Sequence, residues 1–287
     1  MIDPFFNPDQ KVEYYDLTVM DNVLGPAGPA FYDSVAWQPE SGRFAASIFA
    51  IPEPGMVTVE LWSRDDAQTA QKIFRYSGSV PDFITAHTIA WSQDGTLLAA
   101  YLAQVRQDFT QAFPPDQHQV IIWQATSGQV QQVISLPPPK KFIVAPWKTP
   151  LAWSPTEAHL LAFGHWNNVI VWDVQHNAPL LTLSTSDTQK NPRDAAINVL
   201  ALAWSPNGRY IAACYGYSRK IYIWDVTTLR HTTPSADSIQ NQTLFFPLSS
   251  GAGHSSPVTN ISWSPDGRYI ASTSYDRTVI IWRVDGA

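Results

Sequence analysis

The chain of 287 residues is long enough for one large β domain or two ordinary ones, and 45% of its residues are hydrophobic, enough for a sizeable core. Acidic residues outnumber basic ones by 24 to 18, which argues against nucleic-acid binding because phosphate contacts need clustered Lys and Arg. Cys214 is the only cysteine, so an intrachain disulfide and Cys-x-x-Cys metal sites are excluded. The acidic start and the lack of a long apolar run predict a cytoplasmic protein without membrane contact.

Tryptophan marks an internal repeat along the chain. Ten of the twelve tryptophans form two alternating sets of five: Trp37, Trp91, Trp153, Trp204 and Trp263 in the first set, and Trp62, Trp123, Trp172, Trp224 and Trp282 in the second. From each first-set tryptophan to the second-set tryptophan that follows it, the separations are 25, 32, 19, 20 and 19 residues. A marker that recurs in this way is the signature of a repeat architecture.

Each repeat predicts four short β-strands. The first strand ends at a first-set tryptophan, and motifs such as "SPDG" then favour a tight turn. A second apolar strand follows, as in "RYIAAC" and "RYIASTS", and a third ends at a second-set tryptophan. Its continuous apolar runs, "VIIW" and "IYIW", indicate burial on both faces. A fourth strand is predicted in "QKIFRYSG", "QVQQVISL", "APLLTLST" and "QTLFFPLS", so the units are typical of β-propeller blades.

The repeats resemble those of the WD-repeat β-propeller family. The dipeptide that names the family occurs twice, at Trp172-Asp173 and Trp224-Asp225, and residues 253–282 carry the fuller pattern "GHSSPVTNISWSPDGRYIASTSYDRTVIIW". In that repeat the resemblance implies a hydrogen-bonded structural tetrad of His254, Ser272 or Ser274, Asp276 and Trp282. The other repeats depart from the pattern, because they lack the Gly-His pair and a clear counterpart of Asp276. The resemblance implies the fold and leaves the function open, since many functions share this fold.

The spacing of the repeats predicts the number of blades. Successive first-set tryptophans are 51 to 62 residues apart, which leaves room for one four-stranded unit and not for two. We therefore predict an all-β, five-bladed propeller as a single domain over residues 1–287, with blades at about residues 31–80, 81–136, 146–185, 195–248 and 254–287. The last blade lacks a fourth strand, and we expect residues 12–20 ("VEYYDLTVM") to supply it and close the ring. The alternative is a fragment of a larger propeller, for example one with seven blades.

Long connections predict where a partner binds. In a four-stranded antiparallel blade, the link between strands two and three and the link to the next blade emerge on the same face, and most of the long links belong to these classes. They carry isolated aromatic residues, which are plausible recognition groups: Phe109, Phe113, Phe142 and Trp147. The competing interpretation is that these aromatics anchor the links to the blades. We predict a protein or peptide partner on this face of a monomeric domain, which can be part of a larger complex.

The sequence contains no recognised catalytic motif: it has no G-x-S-x-G elbow, P-loop, H-E-x-x-H or Rossmann fingerprint. We interpret His254 as the tetrad histidine, His165 as the end of a second strand, and His87 as part of an inner strand. No metal or cofactor site is predicted, and we expect a non-enzymatic interaction scaffold. The alternative is a propeller enzyme or carbohydrate-binding module that uses carboxylates at the central channel, with Asp33, Asp82 and Asp194 as candidates.

Overall fold

The structure is a computed structural model that describes residues 30–50, 56–63, 72–77, 84–104, 118–137, 149–184, 198–216, 218–230 and 253–284. Within these ranges the chain forms strands in five antiparallel sheets, together with one short helix. The predicted all-β class with four-stranded antiparallel units is therefore confirmed.

Three of the sheets have four strands in sequential order. Sheet 1 contains β1 (Ala30–Trp37), β2 (Arg43–Ala50), β3 (Met56–Ser63) and β4 (Lys72–Ser77). Sheet 2 contains β5 (Ile84–Trp91), β6 (Leu97–Gln104), β7 (His118–Gln124) and β8 (Val130–Leu136). Sheet 3 contains β9 (Leu151–Trp153), β10 (Leu160–His165), β11 (Asn168–Asp173) and β12 (Ala178–Leu183).

The other two sheets have three described strands each. Sheet 4 contains β13 (Val199–Trp204), β14 (Tyr210–Tyr215) and β15 (Ile221–Asp225), which is followed by α1 (Val226–Arg230). Sheet 5 contains β16 (Val258–Trp263), β17 (Tyr269–Ser274) and β18 (Val279–Arg283). The predicted strands at residues 12–20 and in "QTLFFPLS" lie outside the described residues.

The turns between first and second strands explain the repeated "S-x-D-G" and "S-x-N-G" motifs. In sheet 2 the hydroxyl of Ser92 donates to the carboxylate of Asp94 over 2.6 Å, and the backbone N–H of Gly95 donates to the Ser92 carbonyl over 2.9 Å. Gly95 has a φ of 66°, a left-handed conformation that glycine adopts without a steric cost. Sheets 4 and 5 repeat the arrangement around Gly208 and Gly267, so the motif specifies the hairpin in each of them.

Successive sheets pack face to face, and each pair encloses its own hydrophobic core. The side chains of the first pair include Phe74 from sheet 1 and Trp91 from sheet 2. Sheets 2 and 3, sheets 3 and 4, and sheets 4 and 5 enclose equivalent cores. This sequential packing is the construction of a repeat protein, in which each unit contacts its neighbours along the chain.

One prediction about burial is wrong for sheet 5. The run of Ile221–Asp225 in sheet 4 is buried almost throughout, as its continuous apolar pattern predicts. The equivalent run of Val279–Arg283 in sheet 5 instead alternates between exposed and half-buried residues. The reason is that sheet 5 packs against sheet 4 with one face, whereas its other face is open.

Candidate interaction surface

One face of the molecule gathers the connections that the sequence analysis favours. Because neighbouring strands are antiparallel, the ends of second and fourth strands lie at the same side as the starts of first and third strands. We call this side the loop face. Segments 105–117, 138–148 and 185–197 leave from it and return to it, since they join β6 to β7, sheet 2 to sheet 3, and sheet 3 to sheet 4.

A cluster of aromatic and imidazole side chains lies between sheets 2 and 3 at the loop face. The Tyr101 hydroxyl is 2.9 Å from Nδ1 of His118 and 3.3 Å from Nδ1 of His165. Nε2 of His165 is 2.9 Å from the carbonyl oxygen of Pro137, so this nitrogen carries the proton and donates. The ring of Trp166 lies 4.9 Å from that of His118, which closes the cluster. These contacts connect the two sheets through side chains in addition to the core.

Burial keeps two groups of this cluster, His165 and Tyr101, uncharged. Burial lowers the pKa of His165 to about 4, and the bond to the Pro137 carbonyl offsets only part of that effect. Burial also raises the pKa of the Tyr101 phenol. A neutral imidazole and a neutral phenol at physiological pH are typical of structural hydrogen bonding and not of a poised acid–base pair.

Trp166 is the most constrained residue of the cluster. It occupies the turn between β10 and β11 with a φ of 54°, which is uncommon for a bulky side chain and marks local strain. Its carbonyl oxygen accepts a hydrogen bond of 2.9 Å from the backbone N–H of Val199, which begins the first strand of sheet 4. Its indole N–H is buried and has no acceptor among the residues that the structure describes. An unsatisfied donor at this position is available to an acceptor brought by a neighbouring segment.

The four residues predicted to bind a partner lie outside the described residues, in segments that depart from this cluster. Phe109 and Phe113 belong to segment 105–117, and Phe142 and Trp147 belong to segment 138–148. The sequence analysis missed Tyr101, His118 and Trp166. Nothing in the repeat pattern marks them, because the contacts join positions that are up to 64 residues apart and do not recur in other repeats.

Sheet 5 brings the four residues of the implied tetrad together. The Trp282 indole donates to the Ser272 hydroxyl over 2.7 Å, and that hydroxyl is 2.8 Å from Nε2 of His254. On the other side of the ring, Nδ1 of His254 is 3.0 Å from a carboxylate oxygen of Asp276. A single proton arrangement satisfies the chain, with the indole donating to the hydroxyl, the hydroxyl to Nε2, and Nδ1 to the carboxylate. Ser274, the alternative to Ser272, instead donates to the carbonyl of Ser256 over 2.9 Å.

The carboxylate of Asp276 is held by several donors at once. The hydroxyl of Thr278 donates over 2.6 Å, and the backbone N–H groups of Thr278 and Ser255 donate over 2.9 and 2.8 Å. The bond from the Thr278 hydroxyl, with smaller contributions from the backbone donors and His254, holds the pKa of Asp276 well below its usual range although burial opposes it. The group is therefore a fixed anion that orients His254, and it is not a proton donor.

The structure describes only some of the residues that the sequence analysis considered for catalysis or metal binding. Asp33 lies in β1 and is exposed, whereas Asp82 and Asp194 lie outside the described residues. His87 is part of β5, and His165 ends β10 as predicted. Among the described ranges no group of three or more His, Cys, Asp or Glu could hold a metal ion. None of the described helical residues forms a helix long and apolar enough to cross a membrane.

Comparisons with known proteins agree with this architecture. The family model described as "WD domain, G-beta repeat" matches residues 188–225 and 245–283. The chain is 31% identical over 93 residues to Protein HIRA of Dictyostelium discoideum, covering 31% of this chain and 7% of that protein. It is 27% identical over 170 residues to Protein FIZZY-RELATED 3 of Arabidopsis thaliana, covering 47% of this chain and 32% of that protein. The chain thus spans about a third or less of the length of these relatives.

A solved structure shares the fold over nearly the whole chain. The β-propeller domain of Cps50 (Swd1) from Myceliophteria thermophila superposes with a TM-score of 0.56 at 16% sequence identity, covering 93% of this chain and 69% of that one. The two matched repeats show that this part of the chain consists of WD repeats, and the superposition together with the tandem antiparallel sheets shows that the chain shares the β-propeller fold.

Proposed function

We propose that the chain is a non-enzymatic interaction scaffold that binds a protein or peptide partner at its loop face. The proposal rests on the cluster of Tyr101, His118, His165 and Trp166, whose hydrogen bonds and ring contacts hold the strand ends from which segments 105–117 and 138–148 depart. Fixed strand ends reduce the conformational entropy that the connecting segments lose when they bind a partner. The buried indole N–H of Trp166 adds a donor that an acceptor can satisfy.

The relatives support an interaction role. One of them is named "Anaphase-promoting complex subunit cdc20" and comes from Dictyostelium discoideum; it is 25% identical over 166 residues, which cover 58% of this chain and 27% of that protein. Its name states that it works as part of a protein complex. We extend that mode of action to this chain: a cytoplasmic domain that is monomeric by itself and joins a larger assembly through protein contacts, without nucleic acid, membrane or cofactor.

The number of blades and the closure of the ring are also proposals. Pairing of residues 12–20 with the edge of β18 stays a prediction, because those residues lie outside the described ranges. The single-domain assignment of residues 1–287 and the blade boundaries also stay predictions. Such a strand satisfies the backbone edge of sheet 5, but it does not cover the open face of that sheet. The larger-propeller alternative supplies a cover for this face, and we favour it for that reason.

The role of the loop face is tested by shortening segment 105–117 to a brief Gly-Ser link. The matched control shortens residues 231–240, which follow α1 and which the sequence predicts to be the link between the third and fourth strands, on the side opposite to the loop face. Affinity purification from the native source with quantitative mass spectrometry measures partner recovery, and thermal unfolding verifies the fold of both variants. We expect the first variant to lose its partners and the control to retain them. Equal recovery from both variants contradicts the proposal.

A further inference from the structure

The loop-face ends of sheets 4 and 5 carry a concentration of positive charge. Arg219 lies exposed in the link between β14 and β15, and Arg277 lies exposed in the turn between β17 and β18. Lys220, the neighbour of Arg219, is also exposed. Within the described ranges, neither arginine side chain forms an ion pair or a hydrogen bond. Three exposed cations on one side of two adjacent sheets stand out in a chain whose formal net charge is −6.

The described acidic side chain of this surface points inward. We call the described loop-face residues of sheets 4 and 5 the basic patch: 198–199, 215–216, 218–221, 253–258 and 274–279. Among these residues the one acidic side chain is that of Asp276, which is 8% exposed. Its carboxylate accepts from the Thr278 hydroxyl and from the backbone N–H of Ser255, and it lies 3.0 Å from Nδ1 of His254. The charge that the described part of the patch presents to solvent is therefore positive.

An exposed aromatic ring lies in the same patch. Tyr275 is 72% exposed, more than any other large apolar or aromatic side chain that the structure describes. Its turn is fixed by hydrogen bonds on both sides: the backbone N–H of Tyr275 donates to the Pro257 carbonyl over 3.2 Å, and that of Arg277 donates to the Ser274 carbonyl over 3.1 Å. A tyrosine on a fixed backbone loses little conformational entropy on binding, and tyrosine and arginine are enriched among the residues that dominate interfaces.

The start of β16 holds the two links of the patch close together. The backbone N–H of Val258 donates to the carbonyl of Ser218 over 2.9 Å, and the carbonyl of Pro257, one residue earlier, accepts from Tyr275. Because two consecutive residues bind the two links, the backbones of Ser218 and Tyr275 lie within about 10 Å of each other. An extended segment of about four to six residues is thus long enough to reach both arginines and the tyrosine ring.

We propose that the basic patch binds an acidic segment of a partner protein, with several Asp or Glu residues and at least one apolar side chain. The guanidinium groups of Arg219 and Arg277 pair with carboxylates of the segment, and the ring of Tyr275 packs against its apolar side chain. Charge complementarity of this kind speeds association and weakens as salt is added. The inference rests on the proposed function, because it names the chemistry of a partner at the loop face.

The number of cations favours a peptide over a larger polyanion. Proteins that bind DNA neutralise about six to ten phosphates, and anionic membranes attract clusters of about four to eight Lys or Arg residues. The three described cations of the patch are fewer than either surface needs. Two arginines with an exposed tyrosine match a few carboxylates beside an apolar side chain.

A library of random dodecapeptides displayed on phage tests the chemistry of the partner. The complete chain selects the peptides, and the double variant Tyr275→Ala/Arg277→Ser removes those that bind elsewhere. We expect the selected peptides to contain at least about twice as much Asp and Glu as the unselected library, and to share an apolar position, because they must complement the charge and the ring of the patch. Selected peptides without an excess of Asp and Glu, or the absence of any selected peptide, overturn the proposal.

Fluorescence anisotropy with the most enriched peptide measures the contribution of each residue. We expect Tyr275→Ala to weaken binding about ten-fold, and Arg219→Ser and Arg277→Ser several-fold each, with smaller effects of the arginine variants at about 300 mM salt than at about 50 mM. Tyr269→Ala and Arg268→Ser are the matched controls, because both residues are exposed at the opposite end of sheet 5, and they should leave the affinity unchanged. Thermal unfolding verifies the fold of all variants. Equal losses in the variants and their controls contradict a site at the patch.

Two further measurements separate this inference from the proposed function and from a membrane site. The variant with a shortened segment 105–117 should bind the selected peptide as the wild type does. Unchanged partner recovery by that variant, with peptide binding retained, contradicts the role of the segment alone, whereas partner loss without any selected acidic peptide contradicts this inference alone. Vesicles of phosphatidylcholine with about 30% phosphatidylserine should not bind. Vesicle binding that Arg219→Ser and Arg277→Ser abolish overturns the proposal in favour of a lipid surface.

Discussion

Sheets 4 and 5 have closely similar sequences but are stabilised in different ways. Their second strands begin "YIAAC" and "YIAST", and their third strands contain "IYIW" and "VIIW". Sheet 4 is covered on both faces by its neighbours, so Ile223 and Trp224 are 0% and 1% exposed. Sheet 5 is covered on one face only and contains a buried hydrogen-bonded chain within the sheet. Sheets with the same repeat pattern can thus be stabilised either by apolar burial against their neighbours or by hydrogen bonds within the sheet.

A single residue accounts for much of the difference. Ile270 pairs with Trp282 in sheet 5, and Ile211 pairs with Trp224 in sheet 4, which places Ser272 and Ala213 at equivalent positions two residues later. Ser272 accepts the hydrogen bond of the Trp282 indole, whereas Ala213 has no side-chain oxygen to offer. The Trp224 indole N–H is accordingly buried without a partner in the described structure. Sheet 4 tolerates the cost of this unpaired donor because apolar burial against both neighbouring sheets offsets it.

Removal of the second-set tryptophans should have the largest effect. We expect Trp224→Ala to lower the free energy of unfolding by about 3–5 kcal/mol, the range for truncation of a buried aromatic residue, and Trp282→Ala, whose side chain is half-buried, to lower it by somewhat less. Urea unfolding followed by circular dichroism measures the change. Ile281→Ala is the matched control, because its side chain is 66% exposed, and it should cost less than about 1 kcal/mol. Near wild-type stability of Trp282→Ala would show that its indole does not belong to the core.

The hydrogen-bonded chain of sheet 5 should contribute the next largest effect. Ser272→Ala gives sheet 5 the residue that sheet 4 has, and it leaves the Trp282 indole and Nε2 of His254 without their shared partner. We expect a loss of about 1–3 kcal/mol, since buried polar groups that lose a partner bear their desolvation cost. Thr273→Ala, on the open face one residue later, is the control and should change stability by less than about 0.5 kcal/mol. A comparable loss in both variants would contradict a special role for the chain.

Much of this construction could be predicted from tryptophan spacing. Each first-set tryptophan ends its strand, and each second-set tryptophan is the penultimate residue of its strand. Four of the five first-set tryptophans donate their indole N–H in the same way to a backbone carbonyl of the preceding sheet. The fourth strands in "QKIFRYSG", "QVQQVISL" and "APLLTLST" are confirmed as β4, β8 and β12. Repeated features are predictable because one physical solution is used many times.

The features that could not be predicted do not repeat. The cluster of Tyr101, His118 and His165 joins two sheets through residues whose counterparts elsewhere are different. Val279 and Ile281 are exposed because no described sheet covers this face of sheet 5, and the residues of β18 alone do not predict that. By contrast, α1 had a local signal that the sequence analysis overlooked: Asp225 accepts from the backbone N–H groups of Thr227 and Thr228, as an N-cap residue does.

The pH dependence of stability should also distinguish the two sheets. Burial alone would raise the pKa of Asp225, but hydrogen bonds from Thr227, Arg209 and Thr228 outweigh it and lower the pKa to about 2. A depressed folded-state pKa adds stability above the usual value of 3.8, and that stability is lost as the pH falls from there to about 2. Sheet 5 has Arg283 at the equivalent position, and its own dependence in this range comes instead from Asp276, whose pKa is also held below its usual range.

Asp225→Asn isolates this contribution, because Asn is an equally good N-cap but carries no charge. We expect the variant to be less stable than the wild type at neutral pH, by less than Ser272→Ala, since solvent screens the partly exposed pair with Arg209. The difference between the two proteins in urea unfolding should shrink as the pH falls between 3.8 and about 2. A difference that stays constant over this interval would show that the charge of Asp225 is not the cause.

The smallest effect tests whether sheet 4 lacks only a hydroxyl. Ala213→Ser places an oxygen where Ser272 lies in sheet 5, so it can accept from the buried indole of Trp224. We expect a gain of up to about 1 kcal/mol, the net contribution of one hydrogen bond, reduced by the extra volume at a fully buried position. Ala212→Ser is the matched control: it is equally buried, but it faces the core shared with sheet 5, and its hydroxyl should destabilise the protein. Destabilisation of similar size in both variants would mean that sheet 4 depends on the exact packing of its apolar faces and has no place for the polar contact of sheet 5.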